Sequence, residues 1–206
     1  GAPDALLTLD GGSLQADVGR NLVLAPGRPV LVGAGGGELS AQPFATLVVP
    51  GAVSGAGGLA IDGGGEVRLL GDNRGYSGHL DLRAGTLRVS GGLALPDDGA
   101  LALAAGTALA VDASEVLGRL SGQGQVGLAS GSVLQVGTAA DDSFAGSFSG
   151  AGGLAKQGTG TLTLTAASSH AAGTQVLGGA LQISDDASLG DGAAALRLDG
   201  GTLRMA

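Results

Sequence analysis

Ser54-Gly55-Ala56-Gly57-Gly58-Leu59-Ala60 recurs letter for letter as Ser149-Gly150-Ala151-Gly152-Gly153-Leu154-Ala155, 95 positions further along the chain. Downstream of the first copy, Tyr76-Ser77-Gly78 and Ala84-Gly85-Thr86-Leu87-Arg88-Val89 align, with one gap, to His170 through Gly173 and Gly178-Gly179-Ala180-Leu181-Gln182-Ile183. A third marker occurs three times, at Leu7-Thr8-Leu9-Asp10-Gly11-Gly12, Leu101-Ala102-Leu103-Ala104-Ala105-Gly106 and Leu196-Arg197-Leu198-Asp199-Gly200-Gly201. Three registers in one order are the mark of an internal repeat, and a repeat dictates the architecture. The units run approximately 7–100 and 101–195, with the start of a third at 196–206, inside a single segment spanning 1–206.

Within a unit the pattern is strand, turn, strand. Gly158-Thr159-Gly160-Thr161-Leu162-Thr163-Leu164-Thr165 alternates polar and apolar residues, which places Leu162 and Leu164 on one face of an extended strand. Leu80 with Leu82, Leu87 with Val89 and Leu101 with Leu103 alternate in the same way, between runs of Gly, Asp, Ser and Asn that supply turns. Ala193-Ala194-Ala195 is too short, and too close to glycine, to propagate a helix. Short strands with one apolar face build sandwiches, barrels or solenoids. The long repeat selects the solenoid. Rungs of roughly 20 to 25 residues make each unit about four coils. The whole is then an all-β parallel β-helix of about eight to ten rungs, about 45 Å long at a rung spacing of about 4.8 Å. Leu59, Leu69, Leu82, Leu87, Val89, Leu154, Leu162, Leu164, Leu181 and Ile183 are the expected inward rows, with Leu59 superposing on Leu154 and Leu87 on Leu181.

Composition supports this reading. The chain has 206 residues, of which 43 are glycine, about three times ordinary usage. No three-residue period accompanies the glycines, which excludes collagen, and a 44% hydrophobic content excludes disorder. Aromatic residues make up 2%, so the core is expected to be narrow and aliphatic. With no cysteine there is neither a disulfide nor a thiolate metal site. A net charge of −8, with Lys156 as the one lysine, argues against nucleic acid and anionic membrane surfaces as partners. No apolar run is long enough to span a bilayer, and the N-terminus carries no signal-like segment.

The stretch Ser149 to Leu164 resembles the passenger-associated transport repeat of bacterial autotransporters, whose pattern reads roughly G-x-G-G-L-x-K-x-G-x-G-x-L-x-L, then a Tyr-containing turn and an Ala-Gly-Thr-Leu strand. Lys156 stands at the pattern's lysine. The first copy departs from it, with Ile61 at that position and Gly64-Gly65-Glu66 in place of Thr-Gly-Thr. In the second copy His170 stands where the tyrosine is usual, as Tyr76 does in the first. The resemblance implies a right-handed β-helix in a passenger of the type V pathway, secreted or held at the bacterial cell surface. It implies no particular activity.

Candidate sites are few. His79 and His170 read as surface turn residues, with no nucleophile and acid beside them. Gly146-Ser147-Phe148-Ser149-Gly150 has its serines in the wrong slots for a nucleophile elbow. Gly122-Gln123-Gly124-Gln125-Val126-Gly127 satisfies G-x-G-x-x-G, but a strand follows where a phosphate-binding helix would have to open. Asp97-Asp98, Asp141-Asp142 and Asp185-Asp186 recur every 44 residues and are a candidate Ca²⁺ or sugar row along one corner, against a plainer reading as solvated turns. No catalytic, cofactor-binding or metal-ligating residue is assigned, and no cofactor is expected.

Three functions remain. The segment is expected to be a structural spacer, or stalk, that displays a functional region and assists folding during outer-membrane translocation. Its partners are then adjoining rungs and the translocator barrel of the same parent chain. The alternative is an adhesin surface for a host protein or glycan. More distant is part of an autotransporter protease or a polysaccharide-acting enzyme. The chain is also expected to be cut inside a repeat, leaving uncapped terminal rungs that fray.

Overall fold

A computed structural model describes residues 5–206, and in it strand pairing is parallel throughout. The chain winds through about nine turns. Each full turn visits three faces in the same order. One face is a continuous sheet of ten strands, from Gly12–Ala16 to Thr202–Met205. The next is a seven-stranded sheet, from Leu22–Val23 to Ser147–Gly150. The remaining face is split into a three-stranded sheet, Leu7–Leu9 to Val53–Gly55, and a five-stranded one, Glu115–Leu117 to Leu196–Leu198. Helical structure among the described residues is a single 3₁₀ turn at Asp186–Leu189. Parallel strands need a crossover, and here each crossover is the rest of the rung itself.

Register makes the core. On the ten-stranded sheet Leu39, Ile61, Leu82 and Leu103 are paired in succession, and Leu162, Leu181 and Leu203 likewise. Side chains alternate across each strand, so every second residue of every rung points inward onto its counterpart above and below. All ten residues expected in the inward rows are buried. From Leu14 to Met205 the row takes nine steps over 191 positions, a mean rung of about 21 residues. The core is not wholly aliphatic. Tyr76, Phe144 and Phe148 are buried, and the two phenylalanine rings lie 5.2 Å apart between centroids.

The copies of the repeat do not share a face. Leu59–Asp62 lies on the ten-stranded sheet and Glu66–Leu69 on the seven-stranded one. Their counterparts Gly153–Lys156 and Thr161–Leu164 lie on the five-stranded and ten-stranded sheets. A 95-residue offset at about 21 residues per rung is not a whole number of turns, so the second copy is rotated by one face. What repeats is a strand–turn–strand corner that serves at either of two corners of the rod. Leu59 and Leu154 are both inward, yet on different sheets.

The split face has a side-chain repair. Between Val53–Gly55 and Glu115–Leu117 two rungs contribute irregular chain, and their backbone groups would be buried without partners. Buried Asn73 accepts from Val53 N at 2.6 Å and donates to Ala94 O at 2.9 Å, bridging the rungs on either side. The buried carboxylate of Glu115 accepts from the backbone N–H groups of Gly92, Ala94 and Leu95 at 3.0, 2.9 and 3.2 Å. Burial pushes the Glu115 carboxyl above the usual range, and the three donors pull it back.

Glu115→Ala leaves the buried N–H groups of Ala94 and Leu95 unpaired and should cost at least ~2 kcal/mol in urea unfolding, at about 1–3 kcal/mol per orphaned buried group. Leu162→Asp, which sets a carboxylate in an apolar row next to Asp142, should cost about 4 kcal/mol or more in the same measurement.

Candidate functional site

Each singled-out residue has a defined place. His79 is exposed, with Nε2 3.5 Å from Asp81 Oδ2. His170 is not a surface turn residue: it is fully buried, and the position's usual aromatic explains why. Tyr76, its counterpart in the first copy, is also buried and donates its hydroxyl to Gly57 O at 2.5 Å. Burial raises the Tyr76 phenol to about 12. The His170 ring packs edge-on against Phe148 at 5.9 Å. Thr174 Oγ1 donates to Leu189 O at 2.9 Å and therefore accepts from His170 Nε2–H at 2.8 Å. That fixes the tautomer and leaves Nδ1 buried without a protein partner.

The literal G-x-G-x-x-G lies at a corner, where Arg119–Gly122 turns into the strand Gln125–Leu128, and no helix follows. Ser147 and Ser149 flank the inward Phe148 on an outer strand face. The carboxylate pairs divide between two corners. Asp97-Asp98 stands before one strand of the ten-stranded sheet and Asp141-Asp142 at the start of another two rungs on, where Asp142 is the first strand residue, and Asp185-Asp186 stands after a third. Two rungs are about 9.6 Å, too far for one ion to bridge. Asp141 accepts from Thr161 N at 2.6 Å, Asp142 pairs with Arg119 at 2.8 Å, and Asp185 caps the 3₁₀ turn through Ala187 N. Among the described residues no three His, Asp or Glu side chains gather as a metal set.

Lys156 replaces an apolar residue in an inward row, between Val136 and Val176. Its ammonium donates to the carbonyls of Gln157, of Gly158 at 3.2 Å and of Gly178 at 3.3 Å. Desolvation lowers its pKa. It braces two stacked turns and takes no part in a surface site. Ile61 does without this brace in the first copy.

Two surface features were missed from sequence. A groove of about 560 Å³ opens beside the first four strands of the ten-stranded sheet, among Ser13, Glu38, Ala60, His79, Asp81 and Arg83. These residues are far apart in sequence, and only stacking brings them together. The other feature is Phe44, 91% exposed with φ 64°. It is the third residue of a Gln42–Ala45 turn closed by Ala45 N donating to Gln42 O at 2.9 Å. Gly19 in the stacked rung-one turn and Gly106 three rungs on occupy the same position with φ 65° and 81°. Pro43-Phe44 where other corners carry glycine was the available signal.

Residues 59–89 and 154–183 match the passenger-associated-transport-repeat family. The adhesin BmaC autotransporter of Brucella suis biovar 1 (strain 1330) is 34% identical over 200 residues, which covers 93% of this chain and 6% of that protein. No solved structure matches the chain. A parallel β-solenoid carrying two such repeats defines an autotransporter passenger segment. The chain belongs to the passengers with passenger-associated transport repeats, which are secreted to the bacterial cell surface.

His170 is held neutral, with its pKa below the usual 6.5 because burial disfavours the charged ring. Between that lowered value and 6.5 the unfolded chain binds a proton that the native chain does not. Stability should therefore fall as pH drops below about 6.5. Melting temperatures from pH 7.5 to 5 should show this loss, and His170→Tyr, which restores the residue of the first copy, should remove that part of it.

Proposed function

We propose that this segment is a stalk within its parent passenger, holding a functional region away from the cell and adding rungs one at a time as the chain emerges. The observation that carries this reading is the in-register stacking of one rung on the next, continuous along the ten-stranded face. Each rung is held by its neighbours alone, so length can be added without altering what is already folded. Its partners are the adjoining rungs and the translocator of the same parent chain. No cofactor enters this reading, and no enzymatic role is assigned to the segment.

A second reading, adhesion through the outer flank, is favoured by the related protein's being an adhesin, of which this chain spans 6%. The two are compatible, since a stalk with a binding flank does both. Saturable binding of the purified chain to host cells supports adhesion, and its absence leaves the stalk alone.

The stalk reading is tested by removing one whole turn. Deleting residues 126–147 joins Gln125 to Phe148, which preserves register because Val126 and Phe148 are paired. The shortened chain should fold cooperatively, lose about 4.8 Å of length in small-angle scattering, and leave surface display of the full-length passenger at its native level. Loss of folding or of display would show that the rungs are not interchangeable lengths of stalk.

A further inference from the structure

We propose that the outer face of the first four strands of the ten-stranded sheet binds a neutral oligosaccharide, with its polar end in the groove and a sugar ring stacked on Phe44. The proposal rests on the adhesion reading and names its ligand class.

Ser13, Glu38, Ala60 and Asp81 are paired in sequence across four strands, so their side chains form one outward column. Glu38 and Asp81 flank Ala60, whose small side chain leaves a notch between carboxylates about 9.6 Å apart at the backbone. Asp81 is further flanked by His79 at 3.5 Å and Arg83 at 3.9 Å. The floor is turn backbone, much of it glycine. The imidazole of His79 lies over Gly58, where a Cβ would come within 2.4 Å of the ring. The lining therefore offers acceptors and donors of both kinds and hardly any apolar wall.

The chemistry of the groove narrows the ligand. A peptide strand cannot add along this outer face: Gly37–Ala41, Leu59–Asp62 and His79–Leu82 are paired on both sides, and the free edge of Gly12–Ala16 faces along the rod. The carboxylates and the net charge of −8 repel polyanions. An apolar ligand finds no wall to bury against. A polyhydroxylated ligand fits: carboxylate, imidazole and guanidinium groups hydrogen-bond hydroxyls, and a neutral sugar is not repelled by the carboxylates of the groove.

Phe44 is the independent observation. It lies in the turn that directly follows Gly37–Ala41, the second strand of the same sheet. Its backbone adopts the left-handed region that a bulky residue avoids, at a position where stacked and equivalent turns use Gly19 and Gly106. Its ring is 91% exposed and contributes nothing to the core. The fold gains from neither feature, and strain kept at an exposed aromatic points to a use outside the fold. Val18 in the stacked turn and the neighbouring Pro43 extend the apolar surface, and Gln42, Gln15 and Asp17 supply polar groups around it. A ring flanked by amide and carboxylate groups suits a sugar, whose C–H face stacks while its edge hydroxyls are hydrogen-bonded. The strand between groove and turn is the length of a few sugar units.

The 206-residue chain is applied to an array of immobilised neutral and sialylated oligosaccharides, and affinities for the retained sugars are measured by calorimetry. Neutral oligosaccharides of three or more units should be retained over sialylated ones. Glu38→Gln, Asp81→Asn and Phe44→Ala should each weaken binding at least tenfold. Phe44→Gly should abolish stacking while leaving the melting temperature equal or higher, because glycine suits the turn; a lower melting temperature would make Phe44 a structural residue and overturn its role. Retention of no oligosaccharide, or binding unchanged in all the variants, overturns the proposal. If the chain binds host cells equally well after enzymatic removal of surface glycans, the adhesion reading survives and the sugar site does not.

Discussion

Parallel in-register pairing between successive rungs is the constraint on which the rest of this molecule depends. The backbone bonds run along the rod, so a strand has no freedom to slide: a shift of one residue would turn every inward side chain outward. Each rung must therefore present the same alternation at the same height. The uniform Leu, Val and Ala rows answer that demand, and so does the low aromatic content, since a narrow core stacked at fixed spacing has little room for volume differences. Where Phe144 and Phe148 do enter, they enter together with His170, and the Phe148 ring packs against both of the others.

The same constraint explains the buried polar groups. When the chain leaves strand geometry on one face, the neighbouring rungs still need partners for their N–H and C=O groups, and side chains supply them. Asn73 and Glu115 stand in for missing backbone on the split face. Lys156 does comparable work at the stacked turns beside Gly158 and Gly178. Each is a local repair of a one-dimensional lattice. Their burial marks them as parts of the scaffold, so perturbed ionisation in this fold is not by itself a sign of catalysis.

The rotation of the repeat by one face says what kind of unit it is. Had the unit been a fixed set of rungs, its copies would sit on the same faces. The corner made by a glycine-rich turn between two alternating strands is instead tolerated at two positions around the axis, because the interior is apolar at both and the neighbouring rung supplies the same backbone groups. Such a unit can recur along the rod without fixing which face a copy occupies. The outer surface is then free to vary, and the groove and Phe44 occur where the lattice imposes least.

Much of this was determined by sequence alone. The exact heptapeptide recurrence and the period-two alternation of Leu162, Leu164, Leu181 and Ile183 require stacked strands with those residues inside, and burial of all the expected rows follows from that pattern. The tertiary structure decided what depends on rung length. Turns vary from rung to rung, so which face a copy occupies, which side chains form an outward column and which gap Glu115 fills are set by accumulated register and cannot be read from any one segment. His170 shows the difference at a single residue. Its sequence neighbours are Ser, Ala and Gly, as for an exposed turn, and it is buried because Phe148 of the preceding rung, Thr174 of its own and the Leu189 carbonyl of the next close around it.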